Sequence, residues 1–122
     1  SMIEKLDVLK ARRAVFSGRV WKIIVESQGN SWETWIVYGP KMKTCHIVVP
    51  GKHCDCLDFL FNVIIRRKKC ACYHIIAQKM AEAQGKYQTV VLKEEDFVEV
   101  LITQKLKGNI TIWSMPRQRL QP

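Results

Sequence analysis

Cys54-Asp55-Cys56, then fifteen residues, then Cys72-Tyr73-His74: residues 54–74 decide how this chain folds. Four side chains that ligate soft divalent metals arrive as two tight pairs, Cys-x-Cys and Cys-x-His. Three thiolates and one imidazole suffice to close a tetrahedral shell, and a closed shell leaves no position for a substrate. Side chains alternate along an extended segment, so Cys54 and Cys56 point to one side of it. Cys72 and His74 stand where a helical pattern begins, Tyr73, Ile76, Ala77, Met80 and Ala83, and are expected on its first turn. The helix dipole there favours the thiolate form of Cys72. A shared ion would tie a strand end to a helix start and close the spacer into a loop. Cys is often a small buried apolar residue, yet four of the five fall within nineteen residues, in pairs. Cys45, His53 and Cys70 are alternative ligands, and Cys70-Ala71-Cys72 could supply the second pair in place of His74.

The order and spacing of these residues resemble the SWIM zinc finger, which reads Cys-x-Cys, a variable spacer, then Cys-x-His. The resemblance covers about residues 32 to 84. It implies one structural zinc ion on Cys54, Cys56, Cys72 and His74, with His74 preferred to Cys70 because it completes the pattern. DNA association is implied too, since such fingers occur in transposases, helicase-type ATPases and transcription regulators. Small stand-alone members resemble partners of RecA-family recombinase paralogues in homologous recombination. That makes a protein-interaction adaptor in DNA repair the alternative function. Tyr73 stands where the family often has Lys, and Arg66-Arg67-Lys68-Lys69 where its spacer often has Gly or Pro.

At 122 residues and 48% hydrophobic, the chain suits one domain with a modest core. Residues 2–114 are expected to form it, a finger with an N-terminal helix and a C-terminal α/β extension, and 115–122 a flexible tail. Ser1 reads as the remnant of a protease cut ahead of Met2. No run of eighteen apolar residues predicts a membrane span, and no signal peptide is visible. An odd number of cysteines at metal-type spacing fits a reducing, intracellular compartment, cytoplasmic or nuclear. The net charge of +9 favours polyanionic partners, DNA before RNA, although a solvated basic surface accounts for the same charge.

Elsewhere the pattern predicts an α+β fold, a small antiparallel meander with packed helices stapled by the Cys₃His site. Residues 2–14 read as a helix whose stripe of Ile3, Leu6 and Leu9 is expected to dock on the sheet, with a partner-binding helix as the alternative. Strands are expected at 19–26, 32–38 and 43–49, with a loop from Ser27 to Ser31 and stops at Gly39-Pro40 and Pro50-Gly51. By the resemblance, the last two strands are the finger's own hairpin. Leu57, Leu60, Phe61 and Ile64 suggest a short helix inside the spacer. The helix from Cys72 should end at Gly85, followed by a strand over Tyr87 to Leu92. Lys93-Glu94-Glu95-Asp96 should open a helix with Phe97, Val100, Leu101 and Gln104 inward, ending at Gly108 before a strand at 109–113.

Four adjacent cations cannot all be buried, so Arg66, Arg67, Lys68 and Lys69 are expected to be exposed; with Lys79 on the following helix they are the candidate phosphate contacts, a solvated loop being the alternative for the run. Trp21, Trp32, Trp35 and Tyr38 could stack on bases or fill the sheet core; Trp32, beside a polar loop, is the one expected to be exposed. No catalytic site is expected. Ser-His-Asp order, a Gly-rich phosphate loop and His-Glu-x-x-His are all absent, and His46 and His53 are too sparse to define one.

Overall fold

The computed structural model describes residues 1–106 and 120–121. The expected strand at 109–113, the helix end at Gly108 and most of the expected tail fall outside them. In chain order the elements are α1 (Met2–Phe16), β1 (Val20–Ser27), β2 (Asn30–Tyr38), β3 (Cys45–Val49), β4 (His53–Cys54), α2 (Tyr73–Gln84), β5 (Gln88–Lys93), α3 (Glu94–Leu106) and β6 (Leu120–Gln121). A π-type loop helix, Phe59–Ile65, lies between β4 and α2. The strands form one sheet in the order β4-β3-β2-β1-β5-β6. No helix among the described residues is long and apolar enough to cross a membrane.

The fold is α+β, and β1 to β4 form the antiparallel meander. Gln28 and Gly29 both have positive φ, 51° and 82°, and Ser27 pairs with Asn30. This is a two-residue hairpin turn whose twist matches the strands, so β2 starts earlier than the polar Asn30 and Ser31 suggest. At the other end of β2, Gly39 N–H donates to Thr44 C=O at 2.9 Å, and a Cβ on Gly39 would run into Thr44 Oγ1. Two strands go beyond the meander. β5 lies parallel to β1, with Ile23 opposite Val90 and Val25 opposite Leu92. Its Val90, Val91 and Leu92 are all buried, the continuous apolar run of a strand covered on both faces. Leu120 and Gln121, placed in the tail by sequence, pair with Val90 and Thr89 as β6.

Alternation divides the core into two layers. Trp21, Ile23 and Val25 of β1 join Ile36, Tyr38, Val90 and Leu92 under Phe97 and Val100 of α3. On the opposite face Val20, Trp35, Val37 and Val48 meet α1 and α2. Between those two helices lie Ala11 and Ala14 on one side and Ala77 and Ala81 on the other, small residues that let the backbones approach closely. Gly85, with φ 65°, ends α2 in the left-handed conformation expected of it.

The sequence expectation for α1 does not hold. Ile3, Leu6 and Leu9 do not pack on the sheet; they are 52%, 48% and 47% exposed. The buried face is Asp7, Ala11, Ala14 and Val15 instead. A carboxylate faces inward because Lys69 meets it: Lys69 Nζ lies 2.6 Å from Asp7 Oδ2 and 2.6 Å from Asp58 Oδ2. Burial opposes both charges, but the mutual hydrogen bonds outweigh it and hold the Asp58 carboxyl below its ordinary range and the Lys69 ammonium above its own. The bridge pins α1 to the loop between β4 and α2.

Removing one partner from such a bridge strands a charge. The Lys69 and Asp7 side chains are 4% and 8% exposed, against 38% for Asp58, so the uncompensated charge falls mainly on Asp7. Lys69→Met is therefore expected to cost about 3 kcal/mol, near the low end for a broken buried pair. Urea unfolding checks this, and an unchanged midpoint would contradict it.

Candidate metal centre

β4 pairs with β3 through Val48–Cys54 and Val49–His53, which sets Cys54 at a strand end. The chain then folds back on β3. Asp55 N–H donates to Ile47 C=O at 3.3 Å, and Asp55 Oδ1 accepts from Ile47 N–H at 3.1 Å. The same oxygen lies 3.0 Å from His46 Nδ1. Cys56 opens the loop helix: its Sγ accepts from Phe59 N–H at 3.3 Å and its C=O from Leu60 N–H at 3.3 Å. Cys72 is the N-cap of α2, in extended conformation, and its C=O accepts from Ile76 N–H at 3.2 Å. His74 follows in the first turn.

These three segments bring the donor atoms of Cys54, Cys56, Cys72 and His74 within 4.8 Å of one another, all four residues buried. Three thiols this close cannot ionise independently. Cys56 ionises first: hydrogen bonds from Cys54, then from Cys72, pull its thiol far below the ordinary range against the opposing effect of burial. Cys54 is pushed up by its bonds to Cys56 and Cys72 and by burial. For Cys72 the Cys54 bond lowers the pKa, but its bond to Cys56 and burial outweigh that and push it up to about 11. The helix dipole favours a thiolate on Cys72, while contact with the Cys56 sulfur and burial oppose it.

His74 sits between the rings of Tyr73 and His46, with centroids 4.0 and 4.5 Å away. Its Nδ1 is buried with no hydrogen-bond partner. An orphaned imidazole nitrogen, two buried thiols resisting ionisation and a third ionised beside them form a donor set that fits a soft divalent cation.

The alternative ligands stand elsewhere. Cys45 belongs to the core layer under α3, Cys70 is exposed, and His53 is exposed with its ring edge-on to Phe59 at 5.1 Å. The sequence gives no role to His46 and Asp55, yet His46 on β3 lies against the His74 ring and is held by Asp55, which follows β4. The placing of Asp55 between two cysteines was the only signal for them.

Of the candidate phosphate contacts, Arg66, Arg67, Lys68 and Lys79 are exposed. Arg66 lies over the Phe61 ring at 5.5 Å and donates to Asn62 Oδ1 at 3.3 Å. Asn62 C=O accepts from both Lys68 and Lys69 N–H, at 2.8 and 3.3 Å, which ends the loop helix and sets the run in place. Lys69 must be removed from the set, since two carboxylates already hold its ammonium indoors. Among the aromatics, Trp21, Trp35 and Tyr38 are core, while Trp32 is 45% exposed and edge-on to Phe97 at 5.5 Å.

No family model matches the chain, and no solved structure matches it. An uncharacterized protein of Archaeoglobus fulgidus is 38% identical over 58 residues, which are 48% of this chain and 49% of that one. The match spans about half the length of the curated relative.

Proposed function

We propose that the chain is a zinc-stabilised nucleic-acid-binding module that associates with DNA without sequence preference, within the cell. The observation that carries this reading is a single loop, closed at both ends by the Cys₃His cluster, that presents Arg66, Arg67 and Lys68 to solvent. Thiolate-rich four-donor sets favour zinc among common divalent ions, and four protein donors complete its shell. Held by Cys54, Cys56, Cys72 and His74, the ion would supply folding energy and structure, with no coordination position for substrate activation. The sequence resemblance to SWIM fingers supports the same assignment, and no enzymatic role is proposed.

The metal reading separates the cysteines. Purified protein is expected to carry one equivalent of zinc by elemental analysis. Cys54→Ser and Cys72→Ser should lose it and unfold at much lower denaturant, because ligand binding and folding are coupled in structural sites. Cys70→Ser should keep the metal and the midpoint. Metal loss from Cys70→Ser together with retention in His74→Ala would overturn the ligand set.

Exposed cations fixed beside a rigid centre can meet successive phosphates without a further ordering cost. The triple variant Arg66→Ala, Arg67→Ala, Lys68→Ala should keep its zinc and weaken binding to every DNA sequence alike. Its salt dependence should flatten, each lost phosphate contact removing a slope of ~0.9 on duplex or ~0.7 on single strands. Titration by fluorescence anisotropy at several salt concentrations measures this; unaltered affinity and slope would remove the loop from the binding surface.

A second reading, an adaptor for a RecA-family recombinase paralogue in homologous recombination, gains support from α1. Its exposed Ile3, Leu6 and Leu9 are what a docking helix needs. Binding to DNA only after a protein partner is added would favour the adaptor.

A further inference from the structure

α1 carries its large apolar residues outward. Ile3, Leu6 and Leu9 lie at i, i+3 and i+6 and form one stripe, while Asp7, Ala11 and Ala14 face α2. A surface helix ordinarily turns its leucines inward. Here the Asp7–Lys69 bridge and the alanine contact with α2 fix the opposite rotation. The stripe is no flat patch. Ile3 and Leu6 form one wall of a groove whose other wall is the metal loop, with Asp58, Lys69 and Tyr73. Lys10 lies in that groove, and Lys5 and Arg12 border a second recess on the Leu9 side. Since Lys69 occupies Asp7 and Asp58, the accessible charges along the stripe are Lys5, Lys10 and Arg12, with Glu4 the one exposed acid of the helix.

We propose that this face docks an amphipathic helix of a partner protein, one whose apolar stripe is flanked by Asp and Glu. Charge chooses the occupant. A second copy of this chain, also at +9, would set Lys5, Lys10 and Arg12 against their equivalents. A bilayer could meet the cations but cannot enter the recess between α1 and the metal loop; a helix laid along the groove can. From Ile3 to Lys10 the groove runs about 10 Å, room for roughly two turns of partner helix. The proposal deepens the adaptor reading and rests on it; it is independent of the DNA assignment, while the second wall of the groove, which includes His74, belongs to the loop that a metal would hold.

The test uses the metal-loaded chain and three probes: a fluorescent helical peptide with a Leu stripe flanked by Glu, the same peptide with Lys for Glu, and anionic phosphatidylglycerol vesicles. The double variant Leu6→Gln, Leu9→Gln keeps every charge and changes only half-exposed positions. Wild-type protein is expected to bind the Glu peptide, ignore the Lys peptide, remain a monomer by sedimentation and show no binding to the vesicles that depends on Leu6 and Leu9. The double variant should lose roughly tenfold or more in affinity for the Glu peptide, with circular dichroism and melting temperature unchanged. Glu-peptide binding that survives the substitution would overturn this face while leaving the adaptor reading standing. Failure to bind either peptide would count against both. Vesicle binding, or a dimer, abolished by the same substitution would replace the proposed partner with lipid or with a second copy.

Discussion

Three sulfurs and an imidazole, gathered within 4.8 Å and closed off from water, cannot all be satisfied by one another. One thiol can ionise and accept from the others, which then hold their protons more tightly. His74 Nδ1 is left without a hydrogen-bond partner. A divalent ion would resolve this conflict, pairing with several thiolates where the sulfurs alone favour one charge. The segments it would join are otherwise weakly tied. β4 is two residues long, the loop helix buries only Phe59, and Cys72 caps a helix whose first turn has no side-chain cap.

From this centre the constraint passes outward through Lys69. The loop fixes that residue, it holds Asp7, and Asp7 helps set the rotation of α1. Two surfaces follow from one loop. Its outer edge offers Arg66, Arg67 and Lys68, and its inner edge holds α1 so that Ile3, Leu6 and Leu9 meet solvent. A metal bound at the cluster would therefore steady both surfaces at once, and the groove beside α1 is itself lined by His74.

Much of this was legible in the residues. Paired cysteines announced the cluster, Gly85 the end of α2, and the polar turn beside Trp32 its exposure. Other features were hidden for physical reasons. Apolar periodicity assigns a helix face only when burial is the strongest claim on its rotation. In α1 an ion pair and an alanine-lined contact prevailed, and Lys69, the partner of Asp7, lies 62 residues away. A run of four cations looks uniformly solvated until its last member finds two acids, and no local pattern records that meeting. The parallel pairing of β5 with β1 is likewise a long-range choice; its sequence trace was the unbroken Val90-Val91-Leu92 run.

The central claim is a metal held by three sulfurs and one nitrogen. X-ray absorption at the zinc edge tests it most directly on protein purified without added metal. The account predicts a first shell of three sulfurs near ~2.3 Å and one nitrogen near ~2.0 Å. A shell of four sulfurs, a shell completed by water oxygen, or no bound zinc would contradict it.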